Sequence, residues 1–540
     1  MKENIRKFCT PAKLLSVLAF LIFGAVKSGD VRYALVGAAE AGIIFALTDR
    51  IGSRFTRAGR IFNDILILIV LIQTAFLSLG GSYVTLQMMT NVESIGSLGG
   101  KTFKYALVVV LAVLVSLIPV YYLEEYDFPF ALFDGTRFLA PLLAAELILT
   151  LVLGSTLSPV YGLLHTAYEG IVHGSGGVGK KTSEDASEAA AHFYRGGTDQ
   201  SYPKPENLPE KPNIILILCE GCSDRIITDE REIAPNLAEF RDSSLVFSDY
   251  FNHTFATYRG IIGQLYSGYQ AKNNDVNHLT GLHDILSGEG YHTTMINTEP
   301  NNAAFTAYLE SMGFDEVIDH RENEAYENEV RTDKEAYELL FDRAAALHEE
   351  GEPFFECMYT YCTHVSFDSP DEVYGDGKNA FLNKFYNMDY QFGEFWEKLY
   401  DSPLKDDTIV IFTADHATYA DEDYNTVFDG SDRPDAELDT VPFYIWYDGI
   451  EAGNIDAGGR NSLDLVPTIL DYLDIDAPNS FLGGTLFREA GDIGNNFDTV
   501  FFDGFHMAGT LGGTVSELSE KQAEILTSEL ALYEKAATGK

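Results

Sequence analysis

Five apolar stretches crowd the first third of the chain, at about 11–28, 33–49, 61–80, 103–123 and 138–157. Most approach the ~20 residues that a helix needs to cross the hydrocarbon core of a bilayer. A buried soluble helix would account for any one of them, and a cleaved signal peptide for the first. Neither accounts for the set, so the expectation is a transmembrane α-helical bundle of about five spans over residues 1–157. The second stretch, which contains Glu40, is the weakest. Orientation follows from Lys and Arg in short loops. Lys2, Arg6, Lys7 and Lys13 flank the first span, and Arg50, Arg54, Arg57 and Arg60 follow the second, so both sites read as cytoplasmic. The loop after the fourth, LEEYDFPFALFDGTRF, lacks this bias. An odd number of spans puts everything after about 157 outside the cytoplasm. An even number reverses that.

Residues 158–211 form the junction. PVYGLLHTAYEGIVHG suits an amphipathic helix lying on a membrane surface, KKTSEDASEAAAHFY a polar helix, and RGGTDQSYPKPENLPEKP a linker. The remainder is acidic, and the whole chain carries a net charge of −44. Such a charge argues against nucleic acid as a partner, because phosphate backbones are bound by Lys/Arg surfaces. It fits a domain kept soluble by self-repulsion. Five cysteines are too few for a disulfide scaffold. Cys219 and Cys222 flank Glu220, and Cys357 and Cys362 lie on a later apolar run. They read as small buried residues, with one disulfide among the four as the alternative if the domain is extracytoplasmic.

From residue 213 strands and helices alternate. NIILILC is a short continuous apolar run, as expected for a strand buried on both faces. LVFSDYF, YHTTMIN, PFFECMYTYCTH, DTIVIFTADH and VPFYIWYDG read as further strands. Between them APNLAEFRDSS, TYRGIIGQLYSG, LTGLHDILSGEG, DKEAYELLFDRAAALHEEG, NKFYNMDYQFGEFWEKLYD and SLDLVPTILDYLDI read as helices. The alternation predicts an α/β domain over 212–500 with a mostly parallel central sheet, followed by a C-terminal segment, 501–540. Ligand groups in such folds gather beyond the carboxyl ends of strands.

The residues with chemistry fall at those ends. Glu220 closes the first strand, as a metal ligand or as a solvated strand-end charge. Asp415 and His416 close TIVIFTADH, setting an oxygen and an imidazole ligand side by side, or else a turn-forming Asp beside a polar His. A mixed O/N set suits Zn2+, Mn2+ or Mg2+. Thr257 opens a helix, as an N-cap or as a nucleophile facing the positive end of the helix dipole, and Thr254 is its rival. His364 follows a strand and is placed to meet substrate or a leaving oxygen. Arg259 is either a phosphate contact or a helix-surface charge.

Taken together, PNIILILCEGCSD, HTFATYRGIIGQLYSG, CTHVSFDSP, IFTADHATY and NSLDLVPTILDYLDI resemble the sulfatase-like branch of the alkaline phosphatase superfamily. With the apolar N-terminal third, the chain is similar to lipoteichoic acid synthases and to phosphoglycerol and phosphoethanolamine transferases. The resemblance implies one divalent cation held by Glu220, Thr257, Asp415 and His416, with Thr257 as nucleophile and His364 on the substrate side. Asp464 and Pro467, in the DLVPTILDYL helix, are structural in that pattern. It also implies a membrane phospholipid donor, a cell-envelope glycan, polymer or lipid acceptor, and a multi-pass protein with an extracytoplasmic catalytic domain. Two departures concern the donor. The nucleophile stands in ATYRGI rather than a KTSDAE-like context, and TEPNNAAFTAYLESMGF lacks the Trp and Arg that grip glycerol phosphate in lipoteichoic acid synthases. The alternatives are hydrolysis of a phosphate or sulfate ester, although the C/S-x-P-x-R context of sulfatases is missing, and a non-catalytic lipid sensor.

Overall fold

The computed structural model describes residues 11–28, 31–80, 157–164 and, apart from 271–276, 301, 320–329, 366, 370, 430–432, 490–496 and 505, residues 183–539; a few single positions between 83 and 114 are described as well. The chain divides into two compact units, Met1–Gly179 and Lys180–Lys540.

The first unit holds α1 (Pro11–Ser28), α2 (Val31–Arg54) and α3 (Thr56–Gly80). Val17, Leu21, Ile44, Phe45, Ile67, Val70 and Leu71 share a buried cluster that binds the three together. Among the described residues two stretches of 22 residues, Val31–Gly52 and Arg57–Ser78, are long and apolar enough to cross a membrane. The apolar stretches at 103–123 and 138–157 fall almost wholly outside the described residues. Glu40, which weakens the second stretch as a span, is buried but satisfied. Its carboxylate accepts from Ser158 Oγ at 3.0 Å, the Val160 amide at 3.0 Å and the Tyr161 amide at 2.9 Å. Those amides open the helical run at 159–164, where an anion meets otherwise unpaired N–H groups. Lys13 is paired in the same way, with Asn63 Oδ1 at 2.6 Å and Asp64 Oδ1 at 2.9 Å.

In the second unit the strands are β1 (Asn213–Cys219), β2 (Leu245–Ser248), β3 (His292–Ile296), β4 (Glu316–Ile318), β5 (Phe354–Tyr359), β6 (Thr408–Ala414), β7 (Phe443–Trp446) and β8 (Gly453–Asp456). They form one sheet in the order β4-β3-β5-β1-β6-β7-β2-β8. Only β7 runs antiparallel to its neighbours. Every residue of β1, β5, β6 and β7 is buried, as their unbroken apolar runs require when both faces of a sheet are covered. The helices used below are α4 (Ser183–Phe193), α5 (Pro235–Asp242), α6 (Thr257–Tyr266), α7 (Ala303–Ser311), α8 (Asp333–Glu350), α9 (Ala380–Tyr400), α10 (Leu465–Tyr472) and α11 (Glu520–Thr538). Thr332 and Glu335 cap the start of α8 reciprocally, and Gly351 at φ 78° ends it in the left-handed region. Tyr337 of α8 then packs its ring on Phe392 and Phe395 of α9.

Three features lie beyond the sequence reading. The edge strands β4 and β8 are short, and β8 is largely exposed, so neither writes an apolar run. PFFECMYTYCTH ends as a strand at Tyr359, so His364 sits in a loop rather than at a strand terminus. The chain after β8 and α10 adds a small antiparallel sheet of β9 (Val500–Phe502), β10 (Met507–Gly509) and β11 (Ser516–Glu517). It closes with α11, whose Leu526, Leu530 and Tyr533 share a cluster with Ala189 and Phe193 of α4. The four cysteines at 219, 222, 357 and 362 are buried free thiols.

Candidate metal centre

β1 and β6 pair in parallel with Cys219 opposite Ala414. The next residue on each, Glu220 and Asp415, therefore leaves the sheet from adjacent strand ends. The Asp415 amide donates to the Cys219 carbonyl at 3.1 Å, so the ladder continues to the site itself. Glu220 is fixed from the other side by the loop after β5. Its amide donates to Thr360 Oγ at 3.1 Å, and Thr363 Oγ donates to its carbonyl.

Asp415 Oδ1 accepts from the amides of Gly221, at 2.8 Å, and His416, at 2.7 Å. Its Oδ2 is buried with no hydrogen-bond partner among the described residues. His416 Nε2 lies 3.5 Å from Glu220 Oε1 and 3.6 Å from Asp415 Oδ2. Its Nδ1 is 2.8 Å from the Ala417 carbonyl, which can only accept. Nδ1 therefore carries a hydrogen, and Nε2 is the ring atom turned to the cluster.

Thr257 is the first residue of α6, not its cap; the capping position is Ala256, whose side chain makes no cap hydrogen bond. Thr257 Oγ donates to Glu220 Oε2 at 2.7 Å. Thr254 is buried and makes no such bond among the described residues; its carbonyl is held by Asn252 Nδ2 at 2.7 Å. Two devices seat α6. Gln264 Nε2 donates to the carbonyls of Ala414, at 2.9 Å, and Asp415, at 3.2 Å. At Gly260 a Cβ would stand 2.1 Å from the Asp415 carbonyl oxygen, so only glycine allows this approach. Ala256, directly before Thr257, has φ 83° and ψ 136°, a region that residues with a Cβ avoid.

His364 lies near enough to Glu220 for each charge to act on the other. Its ring stacks on Tyr361 with centroids 5.2 Å apart, and Nδ1 lies 3.0 Å from the Val365 carbonyl, leaving Nε2 open. Burial holds its pKa below the ordinary imidazole value, partly opposed by the charge of Glu220. Arg259 makes no hydrogen bond or ion pair with the cluster among the described residues, nor is it a surface charge. It is buried, and its guanidinium donates to the Asp503 carbonyl, next to Gly504. Burial lowers its pKa, against the opposing charges of Asp503 and Glu437.

The electrostatics are those of a cation site. Burial would raise the Glu220 pKa, but the hydrogen bond and charge of His416, with Thr257, bring it down to about 2. Burial and the charge of Glu220 push Asp415 well up. Burial disfavours protonated His416, yet Asp415 and Glu220 outweigh it and hold its pKa at about 9. Two carboxylates thus compete for one imidazole. Donor atoms of Glu220, Asp415 and His416 all lie within 4.8 Å of one another. With the orphaned Asp415 oxygen, the Thr257 hydroxyl beside Glu220, and a His416 Nε2 that a cation would hold in place of its proton, the set fits a divalent cation such as Mn2+, Mg2+ or Zn2+.

Residues missed in the sequence surround this core. Phe255 covers His416 with ring centroids 4.5 Å apart. Tyr258, next to Thr257, donates to Glu299 Oε2 at 3.0 Å. Glu299 stands three residues beyond β3, so the strand-end rule that marked Glu220 would have marked it too.

Residues 212–475 match the sulfatase family. Lipoteichoic acid synthase from Staphylococcus saprophyticus is 26% identical over 162 residues, which cover 27% of this chain and 25% of the relative. The chain thus spans about a quarter of the length of the curated relative it matches. Among solved structures, an alkaline phosphatase superfamily protein from Vibrio parahaemolyticus superposes with TM-score 0.51 at 17% identity, over 66% of this chain and 96% of its own. The integral membrane protein lipooligosaccharide phosphoethanolamine transferase A from Neisseria meningitidis does so with TM-score 0.51 at 12% identity, over 87% of this chain and 96% of its own. At these identities the two structures speak to the fold, an α/β domain of the alkaline phosphatase type.

Proposed function

We propose that this chain, which carries a sulfatase-family domain over residues 212–475, is a membrane-anchored transferase. It moves a phospholipid-derived phospho-head group through Thr257 to a cell-envelope hydroxyl. The observation that carries the reading is the 2.7 Å hydrogen bond from Thr257 Oγ to Glu220 within a cluster of cation donors. That hydroxyl also opens α6, where the helix dipole favours a developing alkoxide. Thr257 Oγ attacks phosphorus, and the bond to the diacylglycerol oxygen breaks. The Thr257 hydrogen ends on that oxygen; His364, kept neutral by burial and with its Nε2 lone pair open, would take it up as a base and pass it on as an acid. The phospho-Thr257 ester is then displaced in line by an acceptor hydroxyl, which takes the head group and restores the threonine. A divalent cation bound by Glu220, Thr257, Asp415 and His416 would lower the pKa of the hydroxyl and offset phosphoryl charge. Membrane helices suit a domain whose donor lies in the bilayer, on the outer face if the span count is odd.

The test is transfer of a labelled head group from vesicles to an added acceptor extract. Thr257→Ala should keep its fold and lose transfer entirely. Activity equal to that of the parent chain would remove the assignment. Free head-group phosphate in place of the transferred product would make the same centre a phosphodiesterase.

A further inference from the structure

Glu299 is a buried acid with no cationic side chain beside it among the described residues. It is 7% exposed and makes no ion pair among the described residues. Oε2 accepts from the Tyr258 hydroxyl at 3.0 Å and from Asn302 Nδ2 at 3.4 Å; Asn302 also donates to the Tyr258 oxygen, which frees that phenol's hydrogen for Glu299. Oε1 has only the Tyr359 hydroxyl, 3.5 Å away. A phenol has one hydrogen to give, and the Tyr359 hydrogen goes to Asn297 Oδ1 at 2.7 Å. Oε1 is therefore left with one long contact and no short hydrogen bond. The network is stiff, since the Tyr258 ring stacks on Phe305 with centroids 3.8 Å apart. Burial raises the Glu299 carboxyl to about 7, and Glu220 contributes to the rise, so the two acids sense each other.

Burying a carboxylate with so few donors is costly unless a proton or another cation meets it. The position names the visitor, because Tyr258, the anchor of Glu299, adjoins the residue proposed to attack the donor. A divalent cation would balance Glu220 and Asp415 but not Glu299. A polyol head group would give Glu299 hydrogen bonds without offsetting its charge, whereas an ammonium would do both. We propose that Glu299 selects the donor: its carboxylate receives a protonated amine on the head group, so the chain moves an amine-bearing phospho-head group in preference to an uncharged polyol phosphate. This rests on the transfer reading given above.

The experiment uses the full chain in mixed vesicles with Mn2+ and equal amounts of phosphatidylethanolamine and phosphatidylglycerol. The Thr257 peptide is weighed and released diacylglycerol is measured. The expected result is a phosphoethanolamine adduct in clear excess. The preference should fall about tenfold in Glu299→Gln, the worth of one charge-assisted hydrogen bond, and persist in Glu299→Asp. An equal or larger phosphoglycerol adduct, or an unchanged preference in Glu299→Gln, overturns the selection and leaves transfer standing. Should Glu299→Gln fail to fold, the adduct ratio of the parent chain still decides. Neither adduct nor diacylglycerol from either lipid removes the transfer reading, and the selection with it.

Discussion

Thr257 Oγ and Glu220 Oε2 stand 2.7 Å apart although 37 positions separate them in the chain. The bond joins the start of a helix to the end of the central strand, so Glu220 orients the hydroxyl while offering its other oxygen to His416. Glu220→Gln should therefore fold but bind Mn2+ roughly a hundredfold more weakly, because losing one member of a buried charged set costs about 3 kcal/mol. Metal content after dialysis and head-group transfer at rising Mn2+ would check this. Undiminished affinity would contradict the ligand assignment.

Cation binding should also stabilise the fold. Asp415 Oδ2 has no hydrogen-bond partner among the described residues, and Glu220 lies across the same cluster. A cation at a hundred times its Kd adds about 2.7 kcal/mol. Thermal unfolding with Mn2+ and with chelator should differ accordingly in the parent chain and not in Asp415→Asn.

Ala256 holds φ 83° and ψ 136° immediately before the proposed nucleophile. Glycine accepts that conformation freely. Ala256→Gly should gain about 1 kcal/mol, the relief of strain less the entropy that glycine loses on folding. Urea unfolding gives the stability. A loss of stability would mean that the backbone there is not strained.

Gly260→Ala has the opposite expectation. The added methyl would lie 2.1 Å from the Asp415 carbonyl oxygen, against backbone that cannot swing aside. The helix must back away from β6, at about 1–3 kcal/mol. Because Thr257 travels with that helix, transfer should fall further than stability does, which parallel assays would show.

Glu356 in β5 is wholly buried with both oxygens unpaired among the described residues. Burial raises its pKa well above 4.5, with Arg343 opposing and Glu316 adding to the shift. The folded state keeps a proton that the unfolded chain has lost above pH 4.5, so stability falls as pH rises through and beyond that value. The slope is up to about 1.4 kcal/mol per pH unit until the folded group ionises. Glu356→Gln should flatten it, as unfolding at pH 5 and pH 8 would reveal.

Much of this geometry is visible in one dimension and some is not. NIILILC and TIVIFTA announce buried strands, and an Asp, Glu or His that ends such a run stands out. That β1 lies between β5 and β6 is a matter of pairing, which no local pattern encodes. The edge strand β8, GNID, has little to bury and so leaves no apolar trace. Glu299 follows a recognisable strand, but the Tyr258, Asn302 and Tyr359 side chains around it come from separate elements. Arg259 was open in the sequence because its partner, Asp503, lies 244 positions on in a segment that folds back.

The in-register pairing of Cys219 with Ala414 has a further consequence. Glu220 and Asp415 are spaced by the distance between two neighbouring strands, about 4.8 Å in any sheet. No loop has to be the right length for them to meet. The loops bearing Glu299 and His364 are free of that constraint, so they can lengthen, shorten or change residues while the inorganic half of the site stays intact. A scaffold of this kind can change its clientele without rebuilding its chemistry.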